Sequence, residues 1–139
     1  MLDKASSIAI AEEVRDTMDS YPTELDFISL FECFPRKKDE EELFEYDEST
    51  FVFNLNDQAF EVMISPFYQK FSLLVKMIED NETIGYYDFH TVDRIEIISD
   101  RREHSAIRLF MESDRERFLT MIEITFKPKF MIIMKEIIC

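Results

Sequence analysis

The sequence predicts an α+β protein, with two N-terminal helices packed on an antiparallel, largely meandering β-sheet of about seven or eight strands. In residues 3–34, apolar side chains recur at three- and four-residue steps, which is the period of a helix. From residue 50 onward, apolar and polar side chains alternate, and polar turn sequences recur at intervals of about ten residues. We expect a single domain over residues 1–139, divided into a helical, acidic segment (1–48) and a sheet (49–139).

The first helix is predicted over residues 3–19. Acidic residues occupy one face of it. The apolar residues that recur on the other face are Ile8, Ala11, Val14 and Met18. Pro22 ends this helix, because proline has no backbone N–H to donate and its ring clashes with the preceding turn.

A second helix is predicted between Pro22 and Pro35. Thr23 is the expected N-cap, and Asp26 lies three residues later, at the spacing of a weak capping box. The apolar stripe of this helix consists of Phe27, Leu30, Phe31 and Phe34. Pro35 is expected to end the helix.

The alternating part of the chain predicts eight strands. Their ranges are 51–55, 60–64, 71–77, 84–89, 95–98, 107–111, 118–126 and 130–138. The pair Asn56–Asp57 predicts a tight turn, and Gly85, the only glycine, predicts a bulge or a crowded contact. The last two strands are apolar on both faces, so a second layer must cover them, and the two helices are the natural candidates.

The charge of the chain favours a protein partner. The net charge is −14, and residues 1–50 account for −10 of it. Such a field repels nucleic acid and anionic membranes and attracts basic proteins. Residues 36–48 (RKKDEEELFEYDE) are the most charged stretch. They have two interpretations: a solvated linker or exposed short helix, or an acidic contact loop with aromatic anchors.

The sequence gives little support for catalysis. One glycine cannot build a phosphate-binding loop. Asp88 and His90 would share a face of a strand, and a carboxylate can tune an imidazole as a general base. No nucleophile or further ligand lies at a catalytic or metal-site spacing from them. We therefore expect a binding protein and not an enzyme, with no catalytic residues, no cofactor and no metal.

The sequence also predicts a soluble, cytoplasmic protein. The first residues lack the charged region and long apolar core of a secretory signal. The longest apolar stretch, Phe130 to Ile138, is too short to span a membrane and contains Lys135 and Glu136. The two cysteines, Cys33 and Cys139, are expected to be free thiols.

In size, acidity and predicted architecture, the chain resembles the immunity proteins of bacterial toxin systems, such as contact-dependent growth inhibition and related polymorphic toxins. No motif carries this resemblance. It implies a protein that binds and neutralises a cognate toxin, a basic nuclease, by charge-complementary contact. The expected partners include neither nucleic acid nor membrane, and the expected state is a monomer or weak dimer. The expected contact residues are Asp39, Glu40, Glu41, Glu42, Phe44, Glu45, Tyr46, Asp47 and Glu48, with Phe44 and Tyr46 as anchors.

Three alternatives stay open. Chaperones of type III secretion are similar in size and acidity, but they usually end in a helix, whereas residues 130–138 alternate like a strand. A phage-encoded inhibitor or nucleic-acid mimic would also be acidic. An enzyme of unrecognised type would use Asp88 and His90.

Overall fold

A computed structural model describes residues 20–114 and 118–138. These residues form one α-helix, α1 (Glu24–Phe31), a short 3-10 helix (Phe44–Tyr46) and nine β-strands. The strands are β1 (Arg36–Lys37), β2 (Ser49–Leu55), β3 (Gln58–Ser65), β4 (Lys70–Met77), β5 (Thr83–Phe89), β6 (Arg94–Asp100), β7 (Ser105–Asp114), β8 (Phe118–Lys127) and β9 (Met131–Ile138).

The strands form two antiparallel sheets. Strands β1 to β5 make the first sheet and β6 to β9 the second, and in both sheets the spatial order follows the order in the chain. The predicted fold class was therefore wrong. Over the described ranges the protein is mostly β, with two sheets and one helix in place of two helices on one sheet. The predicted first helix, residues 3–19, lies outside the described residues.

The two sheets cover each other. The prediction had assigned this covering role to the two helices. Fully buried side chains from both sheets belong to one apolar core. The ring of Phe126, on β8, lies 5.9 Å from that of Phe53 and 5.8 Å from that of Phe60, on β2 and β3. Along strands such as β8, alternation places every second side chain in this core, here Ile122, Ile124 and Phe126. The two apolar faces therefore bury one another, as in a β-sandwich.

Helix α1 closes one edge of the core and is too short to cover a sheet. Its eight residues span roughly 12 Å, whereas five paired strands span roughly 19 Å. The Phe31 ring lies 5.1 Å from that of Phe51 in the first sheet and 5.3 Å from that of Phe126 in the second. Glu32 Oε2 also accepts a hydrogen bond from Lys127 Nζ at 3.0 Å. The helix thus joins the two sheets.

The predicted cap of this helix is confirmed, whereas its C-terminal end was wrong. Thr23 Oγ1 accepts from the backbone N–H of Asp26, and Asp26 Oδ2 accepts from that of Thr23. The helix stops at Phe31 because Glu32 adopts a left-handed conformation, with φ 55°. Pro35 disfavours helical geometry at Phe34, and Phe34 is consequently exposed instead of lying on the apolar stripe.

The eight predicted strands correspond to β2 to β9, and the two-residue strand β1 was missed. The turn at Asn56–Asp57 is confirmed, with Asn56 at φ 56°. At Gly85 both expectations hold. The β4–β5 register shifts beside the Val75–Gly85 pair, and a Cβ at Gly85 would lie 2.9 Å from the ring of Tyr87.

Candidate partner-binding surface

The acidic stretch is a hairpin loop between β1 and β2. Arg36 pairs with Thr50 and Lys37 with Ser49, and the backbone N–H of Lys38 donates to the carbonyl of Glu48 at 3.1 Å. We call residues 38–48 the acidic loop. Neither earlier interpretation described it fully, because it is closed by strand pairing and contains the 3-10 helix Phe44–Tyr46. Its ends are therefore fixed to the first sheet.

Two of the predicted contact residues, Phe44 and Asp47, are buried and stabilise this loop. Phe44 is buried, with its ring 5.9 Å from that of Phe27 in α1. Asp47 is also buried, and both of its carboxylate oxygens lie 3.2 Å from the backbone nitrogen of Asp39. Their side chains are thus placed to support the loop more than to touch a partner.

Further hydrogen bonds order the rest of the loop backbone. The N–H of Glu42 donates to the carbonyl of Asp39 at 3.1 Å, and that of Glu41 donates to the Asp39 carboxylate at 3.0 Å. The N–H of Tyr46 donates to the carbonyl of Leu43 at 3.0 Å, and Lys37 Nζ donates to the carbonyl of Glu42. A loop bonded in this way loses little conformational entropy when a partner binds.

The other seven predicted residues reach the surface. The exposed ones are Asp39, Glu40, Glu41, Glu42 and Tyr46, and the half-buried ones are Glu45 and Glu48. Seven carboxylates follow three basic residues, which gives residues 36–48 a net charge of −4. Lys38 Nζ lies 3.7 Å from Glu48 Oε2, so one carboxylate at the base of the loop has a cationic neighbour.

The structure adds two exposed aromatic residues that the sequence analysis missed. The Tyr46 ring lies 5.7 Å from that of Phe67, and the Phe67 ring lies 5.2 Å from that of Tyr68. Phe67 and Tyr68 belong to the β3–β4 turn, residues 66–69. A signal was present in the sequence, since two adjacent aromatic residues occupy a turn where small polar residues are usual. We call Tyr46, Phe67 and Tyr68 the aromatic patch.

A groove of about 310 Å³ lies beside this patch. It runs between the start of α1, the acidic loop and the β3–β4 turn. Its lining residues are Tyr21, Pro22, Thr23, Asp26, Phe44, Glu45 and Pro66. The charged side chains among these are carboxylates, so the groove favours a cation.

The predicted His90–Asp88 pair forms at the end of β5. His90 Nε2 lies 3.1 Å from Asp88 Oδ2, and both side chains are exposed. Across residues 20–114 and 118–138, no three His, Cys, Asp or Glu residues converge as metal ligands would. The geometry of the pair thus amounts to one exposed polar contact.

Of the two cysteines, the structure describes Cys33. Cys33 is a free, half-buried thiol, and burial raises its pKa while a hydrogen bond with the Val52 backbone opposes this effect. A raised pKa makes the reactive thiolate scarce at neutral pH. Cys139 lies outside the described residues. In the described part of the chain, no helix has both the length and the apolar character needed to cross a membrane.

Neither a family model nor a curated protein matches this sequence. The fold is similar to that of one chain in a solved contact-dependent growth inhibition toxin–immunity protein complex from Klebsiella pneumoniae 342. The TM-score is 0.65, the match covers 85% of this chain and 96% of that chain, and 15% of the aligned residues are identical. The predicted resemblance to this class is thereby confirmed at the level of the fold.

Proposed function

We propose that this chain is an immunity protein that binds and neutralises a cognate bacterial toxin. The observation that carries the proposal is the fold shared with nearly the whole of one chain from a toxin–immunity protein complex. Such a complex contains a toxin and its inhibitor. The net charge of −14 favours the inhibitor for this chain, because a strongly acidic protein repels the polyanionic substrates that many such toxins cleave.

We further propose that the toxin is a basic nuclease. A nuclease must bind phosphates, so its cleft carries Lys and Arg side chains. An acidic inhibitor presents the same sign of charge as the substrate and pairs with those cations. Complementary fields also accelerate encounter, towards about 10⁸ M⁻¹s⁻¹ at low salt. Fast binding of the toxin protects the cell that produces it. We propose that this protein acts in the cytoplasm of that cell.

The order of the acidic loop supports its use as the contact surface. Its carboxylates stand on a backbone fixed by Asp47, Phe44 and the β1–β2 pairing. Charges held in place lose less entropy on binding than charges on a mobile tail.

The test is neutralisation of a defined toxin domain. The probe is the C-terminal domain of the protein encoded directly upstream of this gene, produced in a test strain with and without this chain. We expect growth arrest by that domain alone, rescue on co-production, and a complex of the purified proteins that weakens at high salt. A toxin domain from an unrelated system is the control and should not be neutralised. If the upstream domain is toxic but neither bound nor neutralised, the proposal is wrong.

A further inference from the structure

The aromatic patch is not required to build the turn that carries it. The β3–β4 turn is closed by a hydrogen bond of 3.1 Å from the N–H of Gln69 to the carbonyl of Pro66, with Gln69 at φ 56°. The Gln69 carbonyl in turn accepts from the N–H of Val92 at 2.8 Å. Phe67 and Tyr68 contribute side chains to the surface while other residues provide the backbone geometry. Two exposed aromatic rings at such a site are better explained by recognition than by folding.

The rings of the patch are held together while staying accessible. Tyr46, Phe67 and Tyr68 have exposed fractions of 39%, 54% and 63%. Tyr46 belongs to the acidic loop, so its contact with Phe67 joins two loops of the first sheet into one surface. Tyrosine and phenylalanine lose few rotatable bonds on binding and bury a large apolar area, which is why aromatic residues dominate binding hot spots.

The charges around the patch indicate the kind of partner. Exposed carboxylates of residues 39–42 stand on the same loop as Tyr46, and Asp26 and Glu45 line the adjoining groove. An apolar centre with a charged rim is the usual anatomy of a protein–protein interface. The aliphatic stem of a Lys or Arg side chain can lie on aromatic rings while its cationic group reaches a carboxylate.

We propose that Tyr46, Phe67 and Tyr68 form the energetic centre of the toxin-binding surface, and that the groove beside them receives a Lys or Arg side chain of the toxin. This inference rests on the proposed function and assigns the main energetic role to the turn at residues 66–69. The carboxylates of the acidic loop then act as a rim that steers the basic partner, while the rings set how slowly it leaves.

Lys70 fits this arrangement as an internal example of the same contact. Its Nζ lies 5.9 Å from the centre of the Tyr68 ring, within the range of a cation–π interaction. The Tyr68 ring thus already attracts one ammonium group of this chain. A Lys or Arg side chain of the partner would meet the patch in the same way.

The experiment measures binding of the same upstream-encoded toxin domain to two matched double variants. Phe67→Ala/Tyr68→Ala removes two rings of the patch. Ile84→Ala/Tyr86→Ala removes two side chains of similar exposure, 46% and 63%, from β5 of the same sheet. We expect the first variant to bind at least about 30-fold more weakly, the effect of one strong hot spot, through faster dissociation. The second variant should bind like the wild type.

A third variant tests the groove. Glu45→Gln keeps the shape of the side chain and removes its charge, and it should weaken binding and reduce its dependence on salt. Equal thermal unfolding of all variants ensures that lost binding does not reflect lost folding. If the wild type binds and the Phe67→Ala/Tyr68→Ala variant binds equally well, the inference is overturned and the proposed function stands. If the wild type does not bind the domain, the proposed function fails and the inference fails with it.

Discussion

Both carboxylate oxygens of Asp47 lie 3.2 Å from the backbone nitrogen of Asp39, eight residues earlier in the chain. This contact ties the two ends of the acidic loop together beneath its exposed surface. Asp47 is buried, and its charge is therefore used to order the loop. The sequence shows it as one of seven similar carboxylates, whereas in the structure it is the one of the seven that is buried.

Asp47→Ala should therefore destabilise the protein and loosen the acidic loop. Hydrogen bonds to a charged group contribute about 1.5–3 kcal/mol each, so we expect a loss of roughly 1–2 kcal/mol after the loop relaxes. Denaturant unfolding measures this loss, and hydrogen exchange of the Asp39 and Glu42 amides measures the loosening. Asp47→Asn keeps an acceptor and should lose less. Glu40→Ala, at an exposed position, should stay within about 0.5 kcal/mol of the wild type, and an equal loss there would contradict the assigned role.

Phe44 should matter for folding more than for direct contact. Its ring is buried against Phe27 in the aromatic core, and truncating a buried phenylalanine costs about 3–5 kcal/mol. We expect Phe44→Ala to reduce the free energy of unfolding by about 3 kcal/mol. Leu43→Ala, at the exposed neighbouring position, is the control and should change stability little. Similar losses from the two substitutions would mean that Phe44 does not anchor the loop.

The local structure was predictable because it depends on neighbouring residues. The cap at Thr23 follows from the Asp26 side chain three residues later, and the turn at Asn56 follows from that residue's tolerance of left-handed geometry. The division into two sheets depends on which apolar faces meet. Alternation in β8 shows that Phe126 is buried, but it does not show that the ring packs against Phe53 and Phe60 across the core.

The charge of the candidate site was predictable from the sequence, whereas the contacts within the site were not. The charge density of residues 39–48 is a property of the sequence. The burial of Phe44 and Asp47 depends on how the loop folds over α1, and the proximity of Phe67 to Tyr46 depends on the pairing of β2 with β3. Residues 21 positions apart in the chain meet because that antiparallel pair brings the acidic loop and the β3–β4 turn to the same end of the sheet.

Tyr21 predicts how stability depends on alkaline pH. Its hydroxyl donates to the carbonyl of Val92 at 2.6 Å, and burial, together with the nearby Asp93 carboxylate, raises the pKa of Tyr21 well above its usual value of 10.0. Above pH 10 the unfolded chain loses this proton while the folded protein keeps it. The contribution of Tyr21 to the free energy of unfolding should therefore be fully present below pH 10. Above pH 10 it should fall by up to about 1.4 kcal/mol per pH unit.

Tyr21→Phe is the matching variant for that prediction. It removes the titrating group and the hydrogen bond, so it should be less stable by about 1–2 kcal/mol at neutral pH. Above pH 10, the free energy of unfolding of this variant should fall less steeply than that of the wild type. Tyr86→Phe, at an exposed position on β5, controls for general alkaline effects. Parallel curves for the wild type and Tyr21→Phe would contradict the assignment.

Charge reversal in the acidic loop should slow association more than an equal reversal elsewhere. Glu40→Lys/Glu41→Lys and Glu79→Lys/Glu82→Lys both change the net charge from −14 to −10. The first pair lies in the acidic loop, and the second lies around the β4–β5 turn, at the other end of the eight-residue strand β4. That strand is roughly 23 Å long, more than twice the screening length of about 10 Å at 0.1 M salt.

A stopped-flow measurement with the cognate toxin domain at low and high salt separates the two variants. The loop reversal should reduce the association rate by about 10-fold or more at low salt, and this difference should shrink at high salt as screening increases. The distal reversal should have a much smaller effect, because its charges are screened from the interface. Equal slowing by both variants would show that net charge alone steers the partner, and the acidic loop would then lose its assigned position at the interface.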